Sequence, residues 1–424
     1  MKIQERLRLR RDNALERKAA RAREASPADF IGITGSSAKS TTAALLAHVL
    51  SARGRVRRQV KFNDRRAVLK TLKQSRRGCD FVVIEAGAAR PGQMKPMAQA
   101  LRPDVAIVTM VALEHKSAFR TVQAIGAEKS ELVAALQPGG LAVLNGDDPN
   151  VAAMATIARK AGARVVLFGR STDNDYRAAA VNAAFPERLG LTLDWSGGML
   201  PLHTNFVGEH FWLPTLAAVA TAIELGVDPE VVAERLANSK PLLERCGVID
   251  VPGGPTFIVD TTKAPWHSLR LAFDVIADAS APRKRIVLGH MSDFAGSDQK
   301  YRDAYRMARE AADQVIFVGR HAHRSKASRQ DRDEERFVEF ATAEQVNAYI
   351  RNTAIPGELI LLKSSVDLHL ERIALSWNVQ VNCWAEACGH NSGCLDCGRY
   401  GDAFEWHKGR KKRIWRRPKW LQDK

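Results

Sequence analysis

Short apolar runs alternate with helical stretches along most of the chain. FIGITG (30–35), DFVVIEAG (80–87), DVAIVTMV (104–111) and GGLAVLNGDDP (139–149) read as buried strands with their turns. Between them, STTAALLAHVLSA (40–52) carries Leu45, Leu46 and Val49 at helical spacing, and AIGAEKSELVAAL (124–136) reads as another helix. Strands buried on both faces lose the apolar–polar alternation, so the pattern predicts a parallel sheet covered by helices. A more β-like stretch at 163–207 includes a hairpin arm, LGLTLDWSG, and helices follow at 213–227 and 229–239. A second α/β unit starts near Pro241, with strands TFIVD, KRIVLGH, QVIFVG and GELILLK, and closes near Trp377. Its spacing predicts a Rossmann-like domain.

The pattern divides the chain into a basic helix or tail (1–28), a central α/β domain (29–240), the Rossmann-like domain (241–378) and a short cysteine-bearing segment with a basic tail (379–424). No run of 18 apolar residues is present, so no membrane-spanning helix is expected, and the charged N-terminus lacks the apolar segment of a secretory signal. The expected location is cytoplasmic, with peripheral attachment to a membrane as a variant. Lys and Arg outnumber Asp and Glu by 64 to 47, a net charge of +17. That balance favours anionic partners: phosphorylated or carboxylated metabolites, nucleic acid or acidic headgroups.

The sharpest motif follows the first strand and opens a helix: Gly32-Ile-Thr34-Gly35-Ser36-Ser37-Ala38-Lys39-Ser40-Thr41. Glycines let a backbone turn tightly and aim N–H groups at phosphates, and the helix N-terminus adds its positive dipole end. Lys39 is placed to reach the β- and γ-phosphates of ATP, and the hydroxyl of Ser40 or Thr41 to hold Mg²⁺. The glycines fall seven and four residues before Lys39, which is not the common phosphate-loop spacing. Glu85, at the end of a buried strand, is a second candidate for the metal.

The loop resembles the GITGTNGKTT loop of Mur ligases and of the related folylpolyglutamate synthases. The segments at 84–119 and 124–150 are similar to the Mur ligase branch that adds D-alanyl-D-alanine to a muramoyl tripeptide. The similarity runs, with gaps, from about residue 30 to about residue 376. It implies a P-loop central domain, a Rossmann-like C-terminal domain and ATP-dependent amide ligation through an acyl phosphate. By residue, it implies that Glu85 and His115 bind magnesium and that Lys129 is carbamylated by CO₂ to become an anionic ligand. It places His210 near the adenine, Arg245 at the nucleotide phosphates, and Asp260 at the ribose or as the residue that positions its domain on ATP. Lys363 and Ser365 would sit near the incoming amine.

The departures are specific. Ala38 stands where the family has a glycine, Met110 where it has Asn, and Glu114 where the residue is usually small. Pro214 falls where an Asn usually contacts the adenine, and Thr262–Trp266 replaces a Tyr-Asn-Ala-Asn-Pro run. Only a basic segment of about 28 residues precedes the loop, where the family has a domain that grips a UDP-sugar. The carboxylate is therefore expected to be held differently, or to be a different molecule, small or polymeric. Asn145, Asp147 and Asp148 read as a turn leading into a helix, with Asp as a cap.

Four of the six cysteines, Cys383, Cys388, Cys394 and Cys397, fall within fifteen residues among Gly389, Gly393 and Gly398. The spacing favours a structural Zn²⁺ site with His390 as a spare ligand; an iron–sulfur cluster and free thiols are the alternatives. The run from Lys408 to Lys419 interleaves basic residues with Trp415, followed by Trp420. It reads as a surface for nucleic acid or an anionic membrane, or as a charged tail packed on the cysteine segment. Two other readings compete with the ligase: a nucleic-acid- or surface-binding ATPase, and a non-catalytic subunit that works with a partner protein.

Overall fold

The computed structural model describes residues 3–75, 78–114, 117–292, 297–386, 388–390 and 392–407. It divides into two units. The first comprises 1–182, 189–205 and 210–239; the second comprises 183–188, 206–209 and 240–424.

Among the described residues, the first unit is built on a nine-stranded sheet. Its strands are β1 (Asp29–Thr34), β2 (Val56–Gln59), β3 (Phe81–Glu85), β4 (Val105–Val108), β5 (Leu141–Asn145), β6 (Arg164–Gly169), β7 (Tyr176–Asn182), β8 (Gly190–Trp195) and β9 (Gly198–His203). The order across the sheet is β2-β3-β1-β4-β5-β6-β7-β8-β9. Neighbours from β2 to β7 pair in parallel; β7, β8 and β9 form an antiparallel meander. The central strands β3, β4 and β5 are buried at every position, as expected of strands covered on both faces. The edge strand β2 is short and polar, which hid it from a reading based on apolar runs.

Because β1, β3, β4 and β5 run the same way, their carboxyl ends share one edge. The chain reverses direction across the sheet between β1 and β4, and such a switch point is where open α/β sheets bind ligands. The phosphate loop leaves β1 at this point.

The basic N-terminal segment forms a helix, Ile3–Glu24, that packs its C-terminal half on the first unit rather than standing in solvent. Ala19 and Ala22 are buried, and the Arg23 guanidinium binds the Leu101 and Arg102 carbonyls and Asp104. Small residues at i and i+3 let the helix approach closely, and the buried Arg23 is satisfied by fixed acceptors.

The second unit is built on a sheet of order β10-β11-β15-β12-β13-β14. Its strands are β10 (Gly247–Asp250), β11 (Thr256–Asp260), β12 (Lys284–Leu288), β13 (Gln314–Val318), β14 (Phe337–Phe340) and β15 (Leu359–Lys363). All neighbours are parallel except β10 and β11. Here too the carboxyl ends of β11, β12, β13 and β15 line one edge, carrying Asp260, His290, His321 and Lys363. No helix among the described residues is long and apolar enough to cross a membrane.

Candidate active site

The phosphate loop links β1 to the helix Lys39–Leu50. Gly35 has φ +147°, and a Cβ there would lie 1.9 Å from Thr109 Oγ1, so only glycine fits. Thr109 lies just beyond β4 and donates to the Ser37 carbonyl at 2.7 Å, pinning the loop. Ser36 exchanges hydrogen bonds of 2.9 Å with the backbone of Ala112. Ala38 is left-handed, with φ 69°, which explains the glycine of related loops. No side chain caps the helix, leaving the N–H groups of its first turn for an anion.

Lys39 and Ser40 are 7% exposed and lie in that first turn. The Lys39 ammonium donates to the Gly35 carbonyl, so the side chain folds back along the loop. Ser40 Oγ donates to Glu85 Oε2 at 2.7 Å. Glu85 is 2% exposed and accepts two more hydrogen bonds, from the Lys61 backbone N–H at 2.9 Å and from Asn63 Nδ2 at 2.8 Å. Burial pushes the Glu85 carboxyl up, but the Lys39 charge and these hydrogen bonds outweigh it and hold the group below the usual carboxylate range. Glu85 is thus an anion kept ready beside the loop. Gly32 lies inside β1, Thr34 ends it, and Thr41 is buried in the helix.

Lys129 projects from the helix Val122–Ala134 and is buried. Its ammonium donates to Glu114 Oε1 at 2.8 Å. His115 lies outside the described residues. Asn145 Nδ2 donates to the Thr109 carbonyl at 2.8 Å. Asp148 caps the helix at Pro149 and accepts from the Val111 N–H at 2.7 Å. The Asn-x-Asp-Asp run therefore braces the segment after β4. His210 stacks on Phe211 ahead of the helix Trp212–Glu224, in which Pro214 occupies the first turn, where its missing N–H costs nothing.

Asn63, Lys61 and Thr109 were not singled out in the sequence, and Glu114 was noted there only as a departure from the family pattern. Each reaches the site through sheet topology rather than a local motif. Glu114 alone left a trace, as an acidic residue where relatives have a small one.

In the second unit, Asp260 ends β11 beside Lys363, which ends β15; the two are register partners. Lys363 Nζ donates to Asp260 Oδ2 at 2.6 Å and to the Lys263 carbonyl at 2.9 Å. Arg245 is half-buried on the turn before β10. His290 Nδ1 lies 2.7 Å from Asp367 Oδ2, and its ring meets that of His321 with centroids 5.2 Å apart. Neither histidine was singled out in the sequence.

Cys383 and Cys394 are buried, and Cys388 and Cys397 half-buried. Burial pushes the Cys397 thiol up, the Arg399 backbone N–H draws it down, and Cys388 and Cys383 push it up again. Cys394 similarly feels Cys383. The basic run 408–424 lies outside the described residues.

A profile of the Mur ligase middle domain matches residues 33–222. The chain is 29% identical over 363 residues to a UDP-N-acetylmuramoyl-tripeptide–D-alanyl-D-alanine ligase of Mycobacterium tuberculosis, covering 79% of this chain and 70% of that one. The enzyme of the same name from Mycobacterium bovis is 31% identical over 272 residues, which span 62% of this chain and about half (53%) of that relative. Among solved structures, a crystal structure of MurF from Acinetobacter baumannii superposes with TM-score 0.77 at 25% identity, covering 86% of this chain and 80% of that one. MurF from Thermotoga maritima, solved in complex with ADP, gives 0.73 at 19% identity, covering 86% and 83%. With the phosphate loop, the buried Ser40–Glu85 pair and the order of the parallel strands already in place, these matches identify residues 33–222 as a Mur ligase middle domain and make the chain as a whole similar to Mur ligases in sequence and fold.

Proposed function

We propose that the chain is an ADP-forming ligase that uses ATP to activate a carboxylate as an acyl phosphate and joins it to an amine. The observation that supports this reading is the buried pair of Ser40 and Glu85 at the base of the phosphate loop. Family members are ATP-dependent amide-bond ligases, and a structural neighbour binds ADP.

The donor set fits magnesium, since Ser40 Oγ and the Glu85 carboxylate are hard oxygen donors. Bound there, magnesium would neutralise charge on the transferred phosphoryl group. The chain's own residues supply the rest. The helix N-terminus and the loop N–H groups orient the phosphates. Lys39 swings from the Gly35 carbonyl to the γ-phosphate, where its charge stabilises the transition state. Asn63 and the Lys61 N–H keep Glu85 ionised and aimed while Ser40 exchanges its hydrogen bond. The substrate carboxylate attacks the γ-phosphorus, ADP departs, and the amine then displaces phosphate from the acyl carbon.

Lys129 is assigned to the carbamate that the resemblance implies, formed with CO₂, and His115 to the same metal set. Arg245, Asp260 and His210 are assigned to the nucleotide and Lys363 to the amine side. The cysteine segment is assigned to zinc. The relatives' names supply the first pair to try, UDP-N-acetylmuramoyl-tripeptide and D-alanyl-D-alanine. The altered segment at Thr262–Trp266 calls for other carboxylates and amines, polymeric ones included.

The test is ADP and phosphate release with Mg-ATP and bicarbonate across such pairs, beside Glu85→Gln. Release that depends on one pair, with kcat down about 100-fold in the variant, is expected, since charge stabilisation of this kind contributes several kcal/mol. ATP turnover insensitive to every pair and to Glu85→Gln would overturn the ligase reading.

A further inference from the structure

The cysteine segment does not stand apart from the second unit. It closes over a fully buried histidine and carboxylate that come from the turn after β15. His369 is 2% exposed and Glu371 0% exposed. His369 Nε2 lies 3.0 Å from Cys388 Sγ, and its Nδ1 faces Glu371 Oε1 at 3.4 Å. Ligand atoms of His369, Glu371 and Cys394 all lie within 4.8 Å of one another. Glu371 Oε1 also accepts the Cys394 backbone N–H at 2.8 Å, while its other oxygen is buried without a hydrogen-bond partner.

The surroundings hold these groups in place. The buried Arg372 guanidinium spans the two segments, donating to the Leu368 and His369 carbonyls on one side and to the Cys383 and Ala385 carbonyls on the other. Gly393, which leads into Cys394, packs so closely on Glu244 that a Cβ would lie 2.4 Å from its carboxylate oxygen. Cys394 and Cys397 flank one helical turn that ends on a left-handed Gly398. His369 itself is held left-handed, at φ 49°. Such strain in a non-glycine residue persists only where the surroundings fix it, and it is common where ligands are clamped.

We propose that this cluster is a zinc site in which His369 supplies a nitrogen ligand from the body of the domain and the cysteine segment supplies the thiolates, with Cys388 and Cys394 among them. Glu371 receives the other ring nitrogen of His369. A carboxylate behind the imidazole fixes its tautomer and raises its basicity, the usual arrangement behind a zinc-bound histidine. A tetrahedral ion with mixed nitrogen and sulfur ligands fits the residue types. A fully buried carboxylate among thiols is costly without a cation, and the ion would offset that cost. The site would fasten the cysteine segment to the turn that carries Asp367, just beyond Lys363. This inference does not depend on the ligase reading.

The test uses the full chain, purified without added chelator. Metal content by mass spectrometry should show stoichiometric zinc. X-ray absorption at the zinc edge should resolve a mixed shell, with nitrogen at about 2.0 Å and sulfur at about 2.3 Å. Glu371→Gln keeps the shape of the side chain and should weaken zinc binding about 10- to 100-fold in a chelator competition. In cobalt-loaded protein, His369→Ala should change the visible spectrum. Absence of zinc, an iron–sulfur chromophore, or an all-sulfur shell with a cobalt spectrum indifferent to His369→Ala would each overturn the proposal.

Discussion

Lys129 donates a 2.8 Å hydrogen bond to Glu114, fifteen residues earlier in the chain, and both side chains are nearly sealed from solvent. This pair joins two features that the sequence showed separately: a lysine where the family carries a carbamate, and a glutamate where it carries a small residue. Carbamylation would replace the cation beside Glu114 with a second anion. Two buried anions in contact are unfavourable without a cation between them. The adduct should therefore form with Mg-ATP present and not in its absence. The measurement is carbon-13 NMR of protein equilibrated with labelled bicarbonate. A carbamate signal indifferent to Mg-ATP would contradict this coupling.

The same pair should matter for stability. Replacing Lys129 with Met leaves the Glu114 carboxylate buried without its cation, at an expected cost of about 3 kcal/mol. Lys129→Met combined with Glu114→Gln should recover much of that loss, because no charge is then stranded. Urea unfolding of the two single variants and the double variant gives the coupling. Strictly additive losses would show that the pair is not a unit.

Ala38 holds a left-handed conformation at the mouth of the phosphate loop, with φ 69°. Glycine adopts that conformation without a Cβ clash, although it also gains freedom in the unfolded chain. Ala38→Gly should therefore stabilise the protein by about 0.5–1 kcal/mol, and thermal unfolding should shift upward by a few degrees. ATP affinity should hold or improve, because the loop reaches its shape with less strain. A lower melting temperature would mean that the Ala38 methyl makes a contact worth more than the strain.

The residues legible in the sequence were those whose roles are set locally. Gly35, Lys39 and Ser40 lie within one loop, and their strand–turn–helix setting identified them. The central strands β3, β4 and β5 were legible because burial on both faces makes them continuously apolar. Edge strands β2, β10 and β14 were not, since half-exposed strands of four residues carry polar side chains. Asn63 and Thr109 were missed for another reason. Asn63 meets Glu85 across 22 residues and Thr109 meets Ser37 across 72, contacts fixed by the order of strands in the sheet. His369 was hidden in the same way. Its partners Cys388 and Cys394 belong to a motif whose own histidine, His390, drew the attention.

Asp367 shows how the second unit should respond to acid. It accepts from His290 at 2.7 Å and from the Ser365 hydroxyl. Burial raises its carboxyl, but His290 and Ser365 outweigh that and hold it at about 2, below the ordinary 3.8. A depressed folded value means that the unfolded chain takes up the proton first as pH falls. The contribution to stability is therefore complete above about pH 4 and is lost between there and about pH 2. The side chain is 56% exposed, so solvent screening limits the contribution to under about 1 kcal/mol. Asp367→Asn should accordingly be slightly less stable than the native chain at neutral pH, with the gap closing as pH falls through that window. Urea midpoints at closely spaced pH values measure it. A gap that stays constant down to pH 2 would place the effect of the substitution in packing rather than in the charge of Asp367.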